Sequence, residues 1–166
     1  MTAYLVTGNP GSGKSMMAAE LTRRGFRALD TDALAGWVDD SGATAAQPLN
    51  VTATWLASHH WEWTRAAFER ILQKADAPPV FFCGIATNQL DMLDLFDVVF
   101  LLTLDEQTQI DRLDAASNAD RNSAQRAEIL EGRPVFEAQM QKAGAVILDG
   151  RQPTATLADA ILRAVC

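Results

Sequence analysis

The residues best suited to chemistry lie in the stretch TGNPGSGKSMM, residues 7–17. Gly8, Gly13, Lys14 and Ser15 fit the Walker A pattern G-x-x-x-x-G-K-[ST]. In that pattern backbone N–H groups surround a phosphate chain, the lysine reaches its β and γ groups, and the hydroxyl ligates magnesium. The alternative is an ordinary glycine-rich turn. The residues expected to bind the nucleotide are Gly8, Asn9, Pro10, Gly11, Ser12, Gly13, Lys14, Ser15 and Met16.

A second pair of candidate residues, Asp30 and Asp32, follows the next predicted strand. Ligands bind in the crevice at the carboxyl ends of parallel strands, and both carboxylates can face it. One can hold magnesium through water, and the other can accept a proton from a hydroxyl nucleophile. The other interpretation is that they cap the following helix. The third predicted strand ends in FFCGIATNQ without a carboxylate, which favours Asp30 or Asp32 as the completing metal ligand.

Short apolar runs that alternate with longer helical patterns must position these residues, and this order is typical of a parallel sheet covered by helices. The predicted strands lie at about 3–7, 27–29, 79–83, 97–103 and 145–148. The predicted helices lie at about 14–24, 32–38, 52–75, 106–115, 123–142 and 154–164, with Thr52 as a plausible cap. Residues 39–50 read as an irregular connection, and residues 115–123 as a polar, mobile loop.

Length and composition indicate one globular domain over residues 1–166. No apolar run approaches the about 18 residues that span a bilayer, and the first residues show no export signal. Two cysteines are too few for a disulfide framework, so we expect a cytoplasmic protein. A formal net charge of −7 with scattered basic residues makes nucleic acid an unfavoured partner.

The predicted helix 52–75 carries aromatic residues and two adjacent histidines. On a helix Trp61 and Trp63 would point in different directions, so one could line a cleft and stack on a flat substrate ring. The alternative is that one lies in the core and the other packs on a neighbouring loop. His59 and His60 would diverge, which favours surface histidines over a shared metal site. Cys83 reads as a small buried hydrophobe. The acidic run Asp91, Asp94 and Asp97 reads as a solvated helix face.

Together these motifs resemble the small P-loop kinases that include shikimate kinase, gluconate kinase and adenylate kinase. The likeness to shikimate kinase covers nearly the whole chain in element order. The segments G-I-A-T-N-Q at 84–89 and W-E-W at 61–63 look closer still to actinobacterial shikimate kinase-like ATPases of undefined substrate. The resemblance implies a three-layer α/β P-loop NTPase fold with a five-stranded parallel sheet and helices on both faces. It also implies an acceptor-binding helical insert at about 33–76 and a lid at about 115–123.

The resemblance also implies roles for individual residues. Asp30 would serve magnesium, Asp32 would contact the acceptor, and Arg121 in the lid would reach the phosphates beside Lys14. On the adenine side we expect Arg112, Arg151 and Pro153. The residues expected around the acceptor are Asp32, Trp37, Trp61, Trp63, Arg65, Gly84 and Asn88.

The sequence departs from shikimate kinase where that enzyme holds its substrate carboxylate. Residues 37–63 contain no arginine, and Arg65 and Arg133 are only approximate substitutes, so shikimate is not the expected substrate. Adenylate kinase's acceptor arginine after the third strand is also missing, and Asn88 is the nearest polar residue.

The implied activity is transfer of the γ-phosphoryl group from ATP, with Mg²⁺, to a small-molecule acceptor by a monomer or homodimer. A phosphotransferase acting on an antibiotic or other secondary metabolite, and a regulatory ATPase without an acceptor, remain as alternatives.

Overall fold

A computed structural model describes residues 2–73, 78–115 and 121–165. Two 3-10 helices lie at Thr31–Leu34 and Gln89–Leu95. In chain order the other elements are β1 (Ala3–Gly8), α1 (Lys14–Arg23), β2 (Arg27–Asp30), β3 (Ala35–Asp39), β4 (Thr44–Ala45), α2 (Ala53–Leu56), β5 (His59–Trp63), α3 (Arg65–Leu72), β6 (Val80–Cys83), β7 (Val98–Thr103), α4 (Glu106–Ala115), α5 (Ser123–Lys142), β8 (Val146–Asp149) and α6 (Thr154–Val165).

The main sheet has five parallel strands in the order β2-β6-β1-β7-β8. All five were predicted from the apolar runs, and the predicted class, a P-loop NTPase fold with helices on both faces, is confirmed. Strand β1 lies at the centre, so its carboxyl end opens between β6 and β7. The loop that follows β1 is therefore placed at the crevice where such sheets bind ligands.

Both faces of the main sheet are buried. Tyr4 and Val6 of β1 point into a cluster with Met17, Leu21 and Ile161 from α1 and α6. The intervening β1 residues Ala3 and Leu5 point to the other face, where they join a cluster that includes Phe68, Phe82 and Met92. Burial on both faces explains why the strands read as continuous apolar runs rather than alternating ones.

The predicted helix at 32–38 is wrong beyond Leu34, and the predicted helix at 52–75 is interrupted by strand β5, so the expected helical insert contains an antiparallel sheet as well as two helices. Strands β3, β4 and β5 form a separate three-stranded sheet in the order β4-β3-β5, which we call the insert sheet. Only α2 and α3 keep the helical prediction. The reason is that the aromatic side chains of β5 find partners across the neighbouring strand, and such residues favour strands when cross-strand packing is available.

The ends of several helices agree with local chemistry. The Thr52 hydroxyl accepts a hydrogen bond from the Trp55 N–H at 3.1 Å, as its predicted capping role requires. Asn122 opens α5 with a capping box that involves Gln125. Of the predicted lid at 115–123, residues 116–120 lie outside the described part of the chain. No helix among the described residues is both long and apolar enough to cross a membrane.

Candidate active site

The loop between β1 and α1 has the backbone that its glycines predict. Gly11 and Gly13 have φ values of 89° and 98°, in the left-handed region that side chains disfavour. Gly13 is the N-cap of α1, so the helix begins at Lys14 with its amino end toward the loop. The Lys14 ammonium donates to the Asn9 carbonyl at 3.1 Å, which folds the lysine back over the loop. This arrangement presents backbone N–H groups, a helix N-terminus and one ammonium to an anion.

Helix α4 supports the phosphate loop from one side. The Gln109 amide donates to the Pro10 carbonyl at 3.0 Å, and the Arg112 guanidinium donates to the Gly11 carbonyl at 3.1 Å. The sequence interpretation missed Gln109, which is fully buried. Its distance from Arg112 could have indicated this role, because residues three apart on a helix share one face.

Two buried polar atoms of the phosphate loop lack a hydrogen-bond partner among the described residues. They are the Asn9 side-chain nitrogen and the Ser12 hydroxyl oxygen. Buried donors without partners are costly, and native proteins satisfy nearly all of them. The two donors therefore fit a site whose partner is an anionic ligand.

Asp30 caps a short helix, as one of its two sequence interpretations requires, and also contacts the first turn of α1. One carboxylate oxygen accepts a hydrogen bond from the Asp32 N–H at 3.0 Å, which caps the 3-10 helix Thr31–Leu34. The other accepts from the Ser15 hydroxyl at 2.7 Å. The carboxylate of β2 is thus joined to the first turn of α1, directly beside Lys14. Hydroxyl and carboxylate oxygens are the donors that Mg²⁺ prefers, so this pair fits that metal.

The charges of Lys14, Asp32 and Arg121 act on one another. Burial, followed by the positive charge of Arg121, lowers the pKa of Lys14 to about 8, while Asp32 and Asp30 oppose the change. Burial and the neighbouring charge of Asp30 raise the pKa of Asp32. Burial also lowers the pKa of Arg121, and Asp32 opposes that effect. Three groups far apart in sequence are therefore brought into one partly desolvated cluster.

The turn between Asp30 and Asp32 is held from the insert sheet. The indole N–H of Trp63 donates to the hydroxyl of buried Thr31 at 3.1 Å. Gly84 lies against the same threonine, and a Cβ at this position would overlap the threonine hydroxyl. Asn88 accepts from the Trp63 N–H at 3.0 Å and donates to its carbonyl at 2.9 Å. The polar groups of Asn88 thus bind β5.

The expected divergence of Trp61 and Trp63 is wrong because they lie two apart on a strand, where such residues share a face. Trp63 is buried against Phe68. Trp61 lies opposite Trp37 on β3, with ring centroids 5.5 Å apart. Trp55, which the sequence interpretation did not select, lies 4.8 Å from Trp37. Trp37, Trp55 and Trp61 therefore form one half-buried aromatic group.

The two histidines of β5 have separate partners. His59 stacks on Trp55 with ring centroids 4.2 Å apart. His60 lies 2.9 Å from a carboxylate oxygen of Asp40. They diverge as expected, although the cause is the alternation of a strand rather than a helix.

Three predicted site arginines have their guanidinium groups bound by the protein. Arg65 forms two bonds with the Asp94 carboxylate, at 2.7 and 2.9 Å, and donates to the Asp91 carbonyl. Arg151 binds Asp149 at 2.8 Å. Arg112 binds the phosphate loop, as described above. Pro153, on the same side as Arg151, is exposed.

Cys83 ends β6 and has no solvent exposure, which confirms it as a small buried hydrophobe. Burial raises the pKa of its thiol to about 12. The thiol is therefore protonated at neutral pH and unsuited to nucleophilic chemistry.

Solved structures with the same fold are kinases of several kinds. A sugar kinase from Janibacter sp. HTCC2649 aligns over 98% of this chain and 93% of its own, with 20% identity and a TM-score of 0.60. A deoxyadenosine kinase from M. mycoides with bound dATP aligns over 99% of both chains, with 12% identity and a TM-score of 0.57. A gluconokinase from Sinorhizobium meliloti 1021 aligns over 99% of this chain and 98% of its own, with 17% identity and a TM-score of 0.53.

At these identities the similarity concerns the fold, which is that of the small P-loop kinases. No curated protein matches the sequence at a significant level. A family model described as an AAA domain matches residues 5–131, which include the phosphate loop, the Asp30–Asp32 turn and the insert sheet. Because this match covers more than half of the chain, the protein belongs to that AAA-domain family.

Proposed function

We propose that the protein is an ATP- and Mg²⁺-dependent kinase that transfers the γ-phosphoryl group to a hydroxyl of a small-molecule acceptor. The observation that carries the proposal is the 2.7 Å contact between the Ser15 hydroxyl and Asp30, made beside Lys14 and two residues from Asp32. A loop that only held a nucleotide would need no second carboxylate in this position. The kinase folds of the neighbouring structures agree with this reaction class.

Each charged group of the site has a role in phosphoryl transfer. Lys14 and Arg121 would offset the negative charge of the transferring group, and the phosphate-loop amides would hold the phosphate chain. Ser15 and Asp30 would hold Mg²⁺, which would supply charge neutralisation and orientation of the phosphates. Asn9 and Ser12 offer further donors, since their buried side-chain groups lack protein partners among the described residues.

Asp32 would act on the acceptor. Its carboxylate accepts the proton of the acceptor hydroxyl as the oxygen forms its bond to the γ-phosphorus, while the bond from that phosphorus to the β–γ bridging oxygen breaks and ADP leaves. A base works best when its pKa is close to the working pH, and burial raises the pKa of Asp32 in that direction. Arg121, whose charge acts on Asp32, would hold the carboxylate ionised before transfer.

Within the P-loop kinases we propose membership of the shikimate kinase-like group. The two segments that carry this likeness bind each other directly, because Asn88 forms two hydrogen bonds with the backbone of Trp63. Gln89 then accepts a bond from the Thr7 hydroxyl, just before the phosphate loop, at 2.8 Å. We place the protein in the cytoplasm, as a monomer or homodimer, and note that Cys83 is a buried free thiol.

The test is a screen of sugars, nucleosides, nucleotides and metabolite alcohols with labelled ATP, followed by two variants measured with the best acceptor. Asp32→Asn should leave Mg-ATP affinity within a few-fold and lower transfer by about 10²- to 10⁴-fold, the scale of a general base. Asp30→Asn should instead change the Mg²⁺ dependence, because it alters the carboxylate bonded to Ser15.

The amide of asparagine can still cap a short helix, so a capping role predicts little change in either variant. Transfer at the parent rate by Asp32→Asn would show that this carboxylate is structural. ATP turnover that needs no second molecule would instead favour an ATPase.

A further inference from the structure

The segment that covers the proposed acceptor site is strongly acidic. Residues 28–64, from β2 to the end of β5, contain no lysine or arginine. The carboxylates within this segment are Asp30, Asp32, Asp39, Asp40 and Glu62. An anionic acceptor needs cations that offset the loss of its hydration, since a buried unpaired charge is costly. This segment supplies negative charge instead of the cations that an anionic acceptor would need.

Three arginines that follow the insert in the chain, Arg65, Arg126 and Arg133, already have partners within the protein. The carboxylate of Asp94 takes two bonds from Arg65, and Asp114 pairs with Arg126. Arg133 donates to the Leu104 carbonyl at 2.9 Å and also lies 3.7 Å from Glu137, although its buried Nε has no partner among the described residues. An anionic acceptor would have to compete with carboxylates of the protein for Arg65 and Arg126, in exposed ion pairs that are individually weak.

The charges of Lys14 and Arg121 both lower the pKa of Asp32, and the charge of Arg121 also lowers that of Lys14, so the three groups lie close together. Lysine and arginine in that position face the phosphate loop, where the nucleotide brings several negative charges of its own. We therefore assign Arg121 to the transferring phosphoryl group rather than to a second anion on the acceptor.

Helix α5 adds a further carboxylate on the side of the insert. Asn122, at its start, donates to the Val51 carbonyl, so the first turn of α5 lies against the insert. Glu128, nearly two turns later, has an exposed side chain; desolvation raises its pKa, and the charge of His60 on β5 lowers it, so the two residues are close to each other. One carboxylate of α5 therefore lies near the insert sheet.

The insert sheet also has room for an acceptor group next to an acidic side chain. Gly36 of β3 lies directly opposite Glu62 of β5. A Cβ at Gly36 would meet no atom within 4 Å, so the space over this pair is open. Successive residues of a strand point to opposite faces, so this open space lies on the side of the insert sheet away from the paired rings of Trp37 and Trp61. An anion placed beside Glu62 would meet a like charge there, whereas a neutral or cationic group would not.

Building on the proposed kinase activity, we propose that the acceptor is an alcohol that carries no negative charge, either neutral or amine-bearing. Alcohols that carry a carboxylate or phosphate are rejected by the acidic insert. The selectivity follows from the net charge of the insert and from the prior engagement of Arg65, Arg126 and Arg133.

The test uses acceptors matched in shape and different in charge. The pairs are 4-(hydroxymethyl)benzylamine with 4-(hydroxymethyl)benzoate, glucose with gluconate, and adenosine with AMP. Transfer from labelled ATP gives kcat/KM for each, and calorimetry on protein saturated with a non-hydrolysable ATP analogue gives the affinity of each. In each pair of which at least one member binds, we expect kcat/KM and affinity to be about tenfold or more higher for the neutral or cationic member than for its anionic partner. A like charge nearby costs at least that much binding free energy.

A charge-reversal variant tests whether the insert is the source of the selectivity. Glu62→Arg places a cation opposite Gly36 and should improve binding of the anionic probes by about tenfold or more. Glu131→Arg, the same change at an exposed position on α5, is the control. It should leave the ratio of affinities within each acceptor pair unchanged. Glu62→Arg that behaves like this control would overturn the role given to the insert sheet.

Failure of this inference can be distinguished from failure of the proposed function. Preference for the anionic member of any pair, with transfer intact, overturns the charge selectivity and leaves the kinase activity standing. A protein that binds the ATP analogue but neither binds nor phosphorylates any member of any pair refutes the acceptor site itself, and both proposals fail.

Discussion

The ammonium of Lys14 should destabilise the nucleotide-free protein. It is partly buried beside the positive charge of Arg121, and its pKa is lowered to about 8. An ordinary lysine has a pKa of about 10.4. The folded state therefore disfavours the protonated form of Lys14, which costs folding free energy at neutral pH. Replacing the ammonium with an apolar group of similar length should remove that cost. We expect Lys14→Met to have a higher free energy of unfolding than the parent protein at pH 7.

The magnitude follows from the difference between the two pKa values. At about 1.4 kcal/mol for each pH unit, the full cost is about 3 kcal/mol. The side chain keeps some exposure to water, which screens part of this interaction. The variant also loses the hydrogen bond to the Asn9 carbonyl, worth about 1 kcal/mol. A net gain of about 1 to 2 kcal/mol remains, and it should raise the melting temperature by about 2 to 6 °C.

The sign of the pH dependence gives a second check. Below pH 8 both the folded and unfolded parent protein hold the lysine proton, so the whole cost is present. As the pH rises from 8 to about 10.4, the unfolded state holds more protons than the folded state, so the parent gains stability and the difference narrows. Urea unfolding of both proteins at pH 7 and pH 9.5 measures this, with Lys142→Met at an exposed position as the control. A Lys14→Met protein less stable than parent at pH 7, with an unchanged control, would refute the reasoning.

Three further predictions concern the same site. ATP affinity should fall as the pH rises above about 8, by up to about tenfold per pH unit, because binding needs the Lys14 proton; calorimetry in buffers of different ionisation enthalpy should detect proton uptake. Arg121→Ala should lower phosphoryl transfer more than ATP affinity and move this pH dependence upward, whereas Arg126→Ala should do neither. Gly84→Ala should lower the free energy of unfolding by about 1 to 3 kcal/mol, because the new Cβ would overlap Thr31. Thermal unfolding measures this, with Gly132→Ala as a control that should not destabilise the protein, since a Cβ there meets nothing within 4 Å.

The parts of the structure that could be predicted from sequence depend on local patterns. Strands β1 and β6 are buried on both faces, so each appears as a continuous apolar run. The spacing of Gly8, Gly13 and Lys14 fixes the phosphate loop. The pair Asp30 and Ser15 followed from the order of elements, since Asp30 ends β2 and Ser15 lies in the first turn of α1, which begins at the carboxyl edge of the same sheet.

The insert could not be predicted in the same way because its stability comes from residues distant in sequence. The segment HHWEW has no strong local preference that separates a strand from a helix. Its strand conformation depends on Trp37, which lies opposite Trp61, and on Asn88, which binds the backbone of Trp63 from 25 residues away. Cross-strand packing decides such segments, and sequence periodicity does not report it.

The spacing of Asp30 and Asp32 was the feature that the sequence offered, yet the residue between them determines how the two carboxylates are held. Thr31 is buried, and its hydroxyl accepts the indole N–H of Trp63 while Gly84 packs against it. The strand that bears Trp63 is in turn bound through Asn88 to the segment that follows β6. Because the carboxylates proposed for the metal and for the acceptor share this single anchored turn, we expect a displacement of the insert sheet to move both of them. Under the proposed function, the acceptor cover and the phosphate loop would then be linked through Thr31.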